Sequence, residues 1–250
     1  MPELTLTAPE RRTAADEAEH ALFQAMASGA IPPGAPLRLN ELSGQLQMSM
    51  MPIREAIQRL QALGLVEVVA HKGAWVRPLT VEDLYDTYFT RIHLETRAFI
   101  EASGRLTDET VTRARLALAQ QQQADGADDA LASRTANEDF HFELYQAAGS
   151  GWLLHCIWPV WRNSERYRAK SMQNARHVAK RSKEHAGMLD ALVAGDTRQA
   201  VTLLVSHLST SADLVASALE PPAAPVRALP TADEILGAAP GPARTRRRSR

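Results

Sequence analysis

Cysteine is all but missing from this chain: Cys156 is the one example in 250 residues. A disulfide within the chain is thereby excluded, and a reducing cytoplasm is the expected setting. Long apolar runs are missing as well. Hydrophobic residues make up 45% of the sequence, enough for a sizeable core, yet no stretch approaches the length needed to cross a bilayer. The N-terminus lacks the basic-then-apolar layout of a secretory signal, since Pro9-Glu-Arg-Arg-Thr-Ala14 is polar. There is no repeat of solenoid type. An excess of charge is absent too: the net charge is −1.

What is present is concentrated in residues 36–78. Leu39-Asn-Glu-Leu-Ser-Gly-Gln-Leu46 is a short helical pattern. Ser49-Met-Met-Pro-Ile-Arg-Glu-Ala-Ile-Gln-Arg-Leu60 reads as a second helix, started by a proline and carrying an arginine near its first turn. Gly64-Leu-Val-Glu-Val-Val69, then His71-Lys-Gly73 and Ala74-Trp-Val-Arg77, read as a two-stranded hairpin. Helix, turn, helix and hairpin in that order form a winged helix-turn-helix, which lays its second helix in the DNA major groove. Charge alone would not suggest this. Residues 38–77 carry only +2, and residues 221–250 carry +4 against −5 for the rest. Phosphate affinity grows with the number of neutralised phosphates, so a lone copy should bind weakly and a dimer should supply the missing contacts.

The remaining organisation predicts a mainly α protein: an N-terminal winged helix-turn-helix and a C-terminal all-helical bundle. Residues 1–12 read as a loose lead and 13–78 as the winged domain, whose first helix, 13–28, stops at Gly29 and the proline-rich Ile31–Pro36 turn. Residues 79–220 read as a helical effector-binding and dimerisation domain. Thr80-Val-Glu-Asp83 is a capping-box variant opening its first helix. A helix from Thr107 is expected to fade in the polar Gln120–Gly126 stretch, and others to cover about 128–148, 152–172, 174–194 and 196–219. Pro159 should kink or split the fourth of these six. Residues 221–250, rich in Pro, Ala and Arg, read as a disordered basic tail, with Arg244-Thr-Arg-Arg-Arg-Ser-Arg250 compatible with nonspecific DNA tethering.

Gly29-Ala-Ile-Pro-Pro-Gly34, Leu39, Ser49-x-x-Pro52-Ile-Arg54-Glu55-Ala56-Ile57, Arg59-Leu60, Gly64-Leu65-Val66 and Gly73 together resemble the GntR family of bacterial transcription regulators. Residues 80–218 resemble the helical effector domain of its FadR-type branch, the FCD domain. The resemblance implies an operator-binding regulator, most often a repressor. On the reading surface, Arg54 near the helix N-terminus can grip guanine O6 and N7. Arg59 meets phosphate or Glu55, and Lys72 beside Gly73 touches backbone or minor groove. The family usually has Ser-Arg-Thr where this chain has Ser49-Met50-Met51. Ser49 then takes over as helix cap, and a methionine can pack on a thymine methyl.

In the helical domain, polar side chains fall on apolar faces. Asn137 and His141 stack one turn apart, with Leu144 and Ala148 continuing their face. His185 shares a face with Val178, Leu189 and Leu192, and His207 with Ala200, Leu203 and Leu214. Three imidazoles and an amide converging in a bundle suit Zn, Ni, Fe or Mn. The resemblance implies the same set, with Asn137 where the family has Asp or Asn; each histidine alone also fits a hydrogen-bonded core residue. Asp139 and Glu184 adjoin the set in sequence and are expected to lie elsewhere in space. Arg91 shares a narrow arc with Leu84, Tyr88, Glu95 and Ala98, so its guanidinium either pairs with Glu95 or faces a cavity and grips an effector carboxylate. Arg162 and Tyr167 are further cavity candidates, while Trp152, Trp158 and Trp161 read as core.

The expected function is thus a ligand-responsive regulator, not an enzyme, that binds a palindromic duplex operator as a homodimer. A divalent metal, a small organic acid, or both would control it, and effectors would shift the placement of its two reading heads. Two alternatives stay open. The helical domain could be only a dimerisation module, or the histidines could hold a water-activating metal in an enzyme.

Overall fold

A computed structural model describes residues 13–168, 175–222 and 224–238. The lead over 1–12, the continuation of the fourth bundle helix to Met172 and the Arg244–Arg250 cluster lie outside the described residues, as does the side chain of Val178. The chain divides into two compact units, with the boundary between Leu79 and Thr80.

The first unit contains α1 (Ala14–Ser28), α2 (Leu39–Leu46), α3 (Met50–Ala62), β1 (Val66–Val69) and β2 (Gly73–Val76). Thr13 and Asp16 form a reciprocal capping box at the start of α1, and Gly29 closes the helix in the left-handed conformation that glycine adopts without strain. α3 starts at Met50, so Pro52 is its third residue rather than its first. The proline still falls among the amides that have no acceptor within the helix. Ser49 occupies the cap position with extended backbone, but its side chain makes no capping hydrogen bond, which corrects the role expected for it. The strands pair antiparallel with Val66 opposite Val76 and Val69 opposite Gly73. Leu22, Phe23, Met26, Leu42, Ile53, Ile57, Leu60, Leu65 and Val76 fill one core between the helices and the hairpin. Each large side chain contributes about 1.5–3 kcal/mol by leaving water.

The second unit is helical: α4 (Val81–Ala102), α5 (Asp108–Gly126), α6 (Ala130–Gln146), α7 (Gly151–Arg168), α8 (Ala175–Val193), α9 (Thr197–Ala216) and α10 (Ala232–Ala238). Side-chain caps from Thr80, Thr107, Asp129 and Asp196 start α4, α5, α6 and α9. Three elements differ from expectation. α5 runs through the polar stretch to Gly126, because Gln121 and Ala124 face inward and are buried. α7 is one helix across Pro159 rather than two. The stretch read as disordered from 221 onward carries α10, opened by a reciprocal Thr231–Glu234 cap. Arg198 to Asp233 (2.8 Å), Arg227 to Asp86 (2.8 Å) and the Arg227 guanidinium over the Phe89 ring tie this segment to α4 and α9. Trp161 is buried and Trp158 half-buried, but Trp152 is 80% exposed, so it is not a core residue.

Candidate functional site

In the winged unit, a groove of about 950 Å³ runs between α2, α3 and the hairpin. Arg54, Met50, Lys72 and Gly73 line it, together with Asn40 of α2 and Arg38 at the N-cap of that helix, neither of which stands out in the sequence. Arg54 is exposed and, among the described residues, has no ion-pair partner. Met51 is 74% exposed on the first turn of α3. Lys72 and His71 form the exposed hairpin tip, where His71 takes a left-handed backbone conformation and Lys72 closes the turn by donating its amide to the Val69 carbonyl.

Arg59 belongs to a different set. Its guanidinium donates to Asp16 (2.6 Å) and Glu55 (2.5 Å) and lies 3.5 Å from Glu19. Of the two partners expected, Glu55 is found; the carboxylates of α1 add two more, and the cation clips α3 to α1. The backbone amide of Thr13 and then Arg59 hold the Asp16 carboxyl at a pKa of about 2.

In the helical unit, α6, α8 and α9 bring His141, His185 and His207 together. One candidate ligand nitrogen from each lies within 4.8 Å of the others, and all three residues are buried. His141 Nε2 and His185 Nε2 are 3.2 Å apart. The Nδ1 atoms face outward to separate partners: Tyr145 Oη for His141 (3.1 Å), Gln121 Oε1 for His185 (3.0 Å) and a Glu184 carboxylate oxygen for His207 (2.7 Å). The Tyr145 hydroxyl commits its proton to Glu95 at 2.6 Å, so toward His141 it can only accept. The Gln121 carbonyl and the Glu184 carboxylate also only accept. Each ring therefore carries its proton on Nδ1, and each Nε2 presents a lone pair.

Two lone pairs facing each other at 3.2 Å repel unless a cation lies between them. A shared proton is disfavoured. Burial pushes His141 and His185 well below the ordinary histidine pKa, with His207 as a further cause, and burial also lowers His207 despite the Glu184 carboxylate. Two imidazoles bound to one tetrahedral ion at 2.0–2.1 Å place their nitrogens about 3.3 Å apart. The donor set thus fits a divalent ion of the Zn, Ni, Fe or Mn kind, and the outer partners are those that orient metal-binding histidines.

Asn137 is buried on the same helix as His141, but its Oδ1 accepts from Gln121 Nε2 at 3.2 Å. Glu184 corrects the expectation that it lies away from the set: sequence adjacency to His185 puts it on α8, and His207 reaches it from α9. Burial pushes its carboxyl up, but the bond and charge of His207 together with Lys180 outweigh burial and hold it below the usual range. Asp139 is exposed and lines a surface groove between α5 and α6.

Arg91 takes the first of its two expected roles. It pairs with both Glu95 oxygens (2.6 and 3.3 Å), donates to Ser164 Oγ (3.0 Å) and lies against the Tyr88 and Trp161 rings. Burial opposes its charge, but Glu95 outweighs burial and keeps it firmly protonated. The buried Tyr167 hydroxyl donates to Asp83 (2.6 Å), with the Thr80 carbonyl 3.2 Å away at the start of α4. Arg162 stacks over Trp158 with its charge beside Glu138. The sequence reading missed Gln121 and Tyr145. Tyr145 could have been found one turn beyond His141; Gln121, in a run of four glutamines, carried no signal.

Comparison with known proteins adds the family. Residues 14–76 match the bacterial regulatory proteins of the gntR family, and residues 86–210 match the FCD domain. The HTH-type transcriptional regulator BphR of Paraburkholderia xenovorans is 28% identical over 75% of this chain and 79% of its own length. The "probable D-xylose utilization operon transcriptional repressor" of Paenarthrobacter nicotinovorans is 29% identical over 80% of this chain and 87% of its own. The fold is shared with Escherichia coli McbR/YncC, with a TM-score of 0.74 at 22% identity over 83% of this chain and 99% of that one. A winged unit with an arginine-bearing second helix, a helical unit built around buried histidines and two family matches agree: the chain belongs to the GntR family of transcription regulators, DNA-binding proteins rather than enzymes, in its FCD-domain branch.

Proposed function

We propose that this regulator is a repressor that binds a palindromic operator as a homodimer in the cytoplasm, and that a divalent metal with a small organic acid in the helical unit controls it. The observation that carries this reading is the histidine trio. Three separate partners lock three buried imidazoles with their Nε2 lone pairs available, an arrangement that a plain core has no need of. When bound, the metal would supply a Lewis-acidic centre for a carboxylate; His141, His185 and His207 would hold it, and Tyr145, Gln121 and Glu184 would fix the rings. Asn137 stands at the edge of the set. Arg54, Met50, Met51, Lys72 and Gly73 supply the reading surface, with Arg54 positioned for a bidentate guanine contact.

The control follows from linkage: an effector shifts operator affinity only if it binds the DNA-competent and incompetent states unequally. The test is a gel-shift titration on promoter DNA flanking the protein's own gene, with stripped protein, Ni²⁺-loaded protein and loaded protein plus carboxylates. The expected result is a several-fold change in operator affinity on loading, on acid addition, or both. Operator binding indifferent to every metal and acid would reduce the helical unit to a dimerisation module.

A further inference from the structure

Residues 224–238 lie outside both family matches, the later of which ends at 210, yet they form a docked arm. Val226, Leu229, Pro230, Ile235 and Leu236 are half-buried, and Leu229 and Pro230 border a cleft with Tyr85 of α4 and Val205 of α9. The Arg227 guanidinium lies 2.8 Å from Asp86 and 3.7 Å from the centre of the Phe89 ring, so a carboxylate and an aromatic face hold it at once. Arg198 reaches Asp233 of α10 at 2.8 Å, and α10 carries the arm to Ala238.

The sequence after the arm holds the densest run of one charge in the chain. Arg244, Arg246, Arg247, Arg248 and Arg250 fall within seven residues, and 235–250 contain no acid. These five cations leave −6 for all other residues, and the reading head over 38–77 carries only +2. All five are arginine, whose planar fork matches phosphate oxygens in pairs. Residues 239–250 include no large apolar side chain that could enter a bilayer. That composition suits a phosphate polyanion in water, and this family binds one.

Docking sets how far the arginines can range. Six residues lead from Ala238 to Arg244, a reach of about 20 Å. Without the arm, the count would run from the end of α9 at Ala216, a reach of about 95 Å. The effective concentration of a linked contact falls with roughly the −3/2 power of linker length, so the arm raises it about tenfold.

We propose that the arginines of residues 244–250 form a second, sequence-independent contact to duplex phosphate, and that the arm clasped by Arg227 and Arg198 anchors this contact to the helical unit. It adds affinity without reading bases and offsets the thin charge of the reading head. The proposal does not rest on the metal reading and requires only that the chain binds DNA.

Fluorescence anisotropy across a salt series provides the test, with the full chain titrated onto two labelled duplexes. One is promoter DNA flanking the protein's own gene, and the other is an unrelated sequence of equal length. The first variant combines Arg244→Gln, Arg246→Gln, Arg247→Gln, Arg248→Gln and Arg250→Gln, with its fold checked by circular dichroism. Each lost phosphate contact removes about 0.9 from the slope of log affinity against log salt, so the slope should become shallower by about two or more. Both duplexes should lose affinity by the same factor, about tenfold or more at 0.1 M salt. Arg54→Ala, by contrast, should weaken the promoter duplex selectively. The second variant keeps every arginine and inserts about twenty Gly and Ser residues after Ala238, which should weaken both duplexes by about three- to tenfold.

An unchanged slope in the glutamine variant, or a loss confined to the promoter duplex, overturns the phosphate contact. Unchanged or tighter binding after the insertion overturns the anchoring by the arm. Normal DNA binding by the glutamine variant, with loss of binding to phosphatidylserine vesicles, assigns the arginines to a lipid surface and overturns the proposal. Failure of the unsubstituted chain to bind either duplex at the lowest salt overturns the DNA reading along with it.

Discussion

In the winged unit, Arg54, Lys72 and Met51 stand on the surface around an aliphatic core that holds the fold without them. In the helical unit, Arg91, Glu95, Tyr145 and His141 form one buried hydrogen-bonded chain and Gln121 and His185 a buried pair beside it, so site and core are the same atoms. Changes to the first unit can therefore separate binding from stability. Changes to the second should couple them, because removing one member of a buried polar network leaves another without its partner.

That contrast can be broken or sharpened by substitution. The largest effect is expected for His185→Ala, which removes one of three ligands. Ni²⁺ affinity should fall by more than about 100-fold, since loss of a mere supporting partner already costs roughly 10–100-fold. Equilibrium dialysis against graded Ni²⁺ measures this, and retention near the original affinity would take His185 out of the ligand set. Next, Glu95→Ala leaves the Arg91 guanidinium buried without its carboxylate and the Tyr145 hydroxyl without its acceptor. About 3–5 kcal/mol of stability should be lost, read from urea unfolding of the full chain, with the loss confined to the helical unit.

Arg54→Ala should cost operator affinity about 1–3 kcal/mol, a factor of roughly 5–150, with no change in thermal stability. A variant that bound DNA normally would remove Arg54 from the reading surface. The smallest effect is expected for Arg59→Ala. Its ion pairs are part-exposed and screened by solvent, so thermal stability should dip slightly while operator affinity stays as it was. A marked loss of DNA binding there would restore Arg59 to the contact set.

The two units were also unequally open to reading from sequence. Turn residues and the short helix, proline-bearing helix and hairpin patterns in succession make the winged architecture plain, because local chemistry decides it. The Glu55 partner of Arg59 is legible one turn away, but its second and third carboxylates come from α1, forty or more positions away, and no local pattern announces them. In the helical unit the three histidines stood out as polar residues on apolar faces, but what holds them did not. Gln121 sits in a polar run that looks like the end of a helix, and only the packing of α5 against α6 turns it inward. The Asp83 partner of the Tyr167 hydroxyl is equally hidden, because it lies 84 positions away in the chain. The error at α10 was of another kind: Thr231-x-x-Glu234 is a capping-box signal, outweighed in the reading by the surrounding prolines and alanines.

The central claim is that the helical unit is a metal-holding controller. Its most direct measurement is the metal content of the full chain, purified without chelator, loaded with Ni²⁺ and desalted, beside His141→Ala and His207→Ala treated identically. The account predicts close to one ion per chain in the unsubstituted protein and almost none in either variant. Equal content in all three proteins, or none in any, would contradict it.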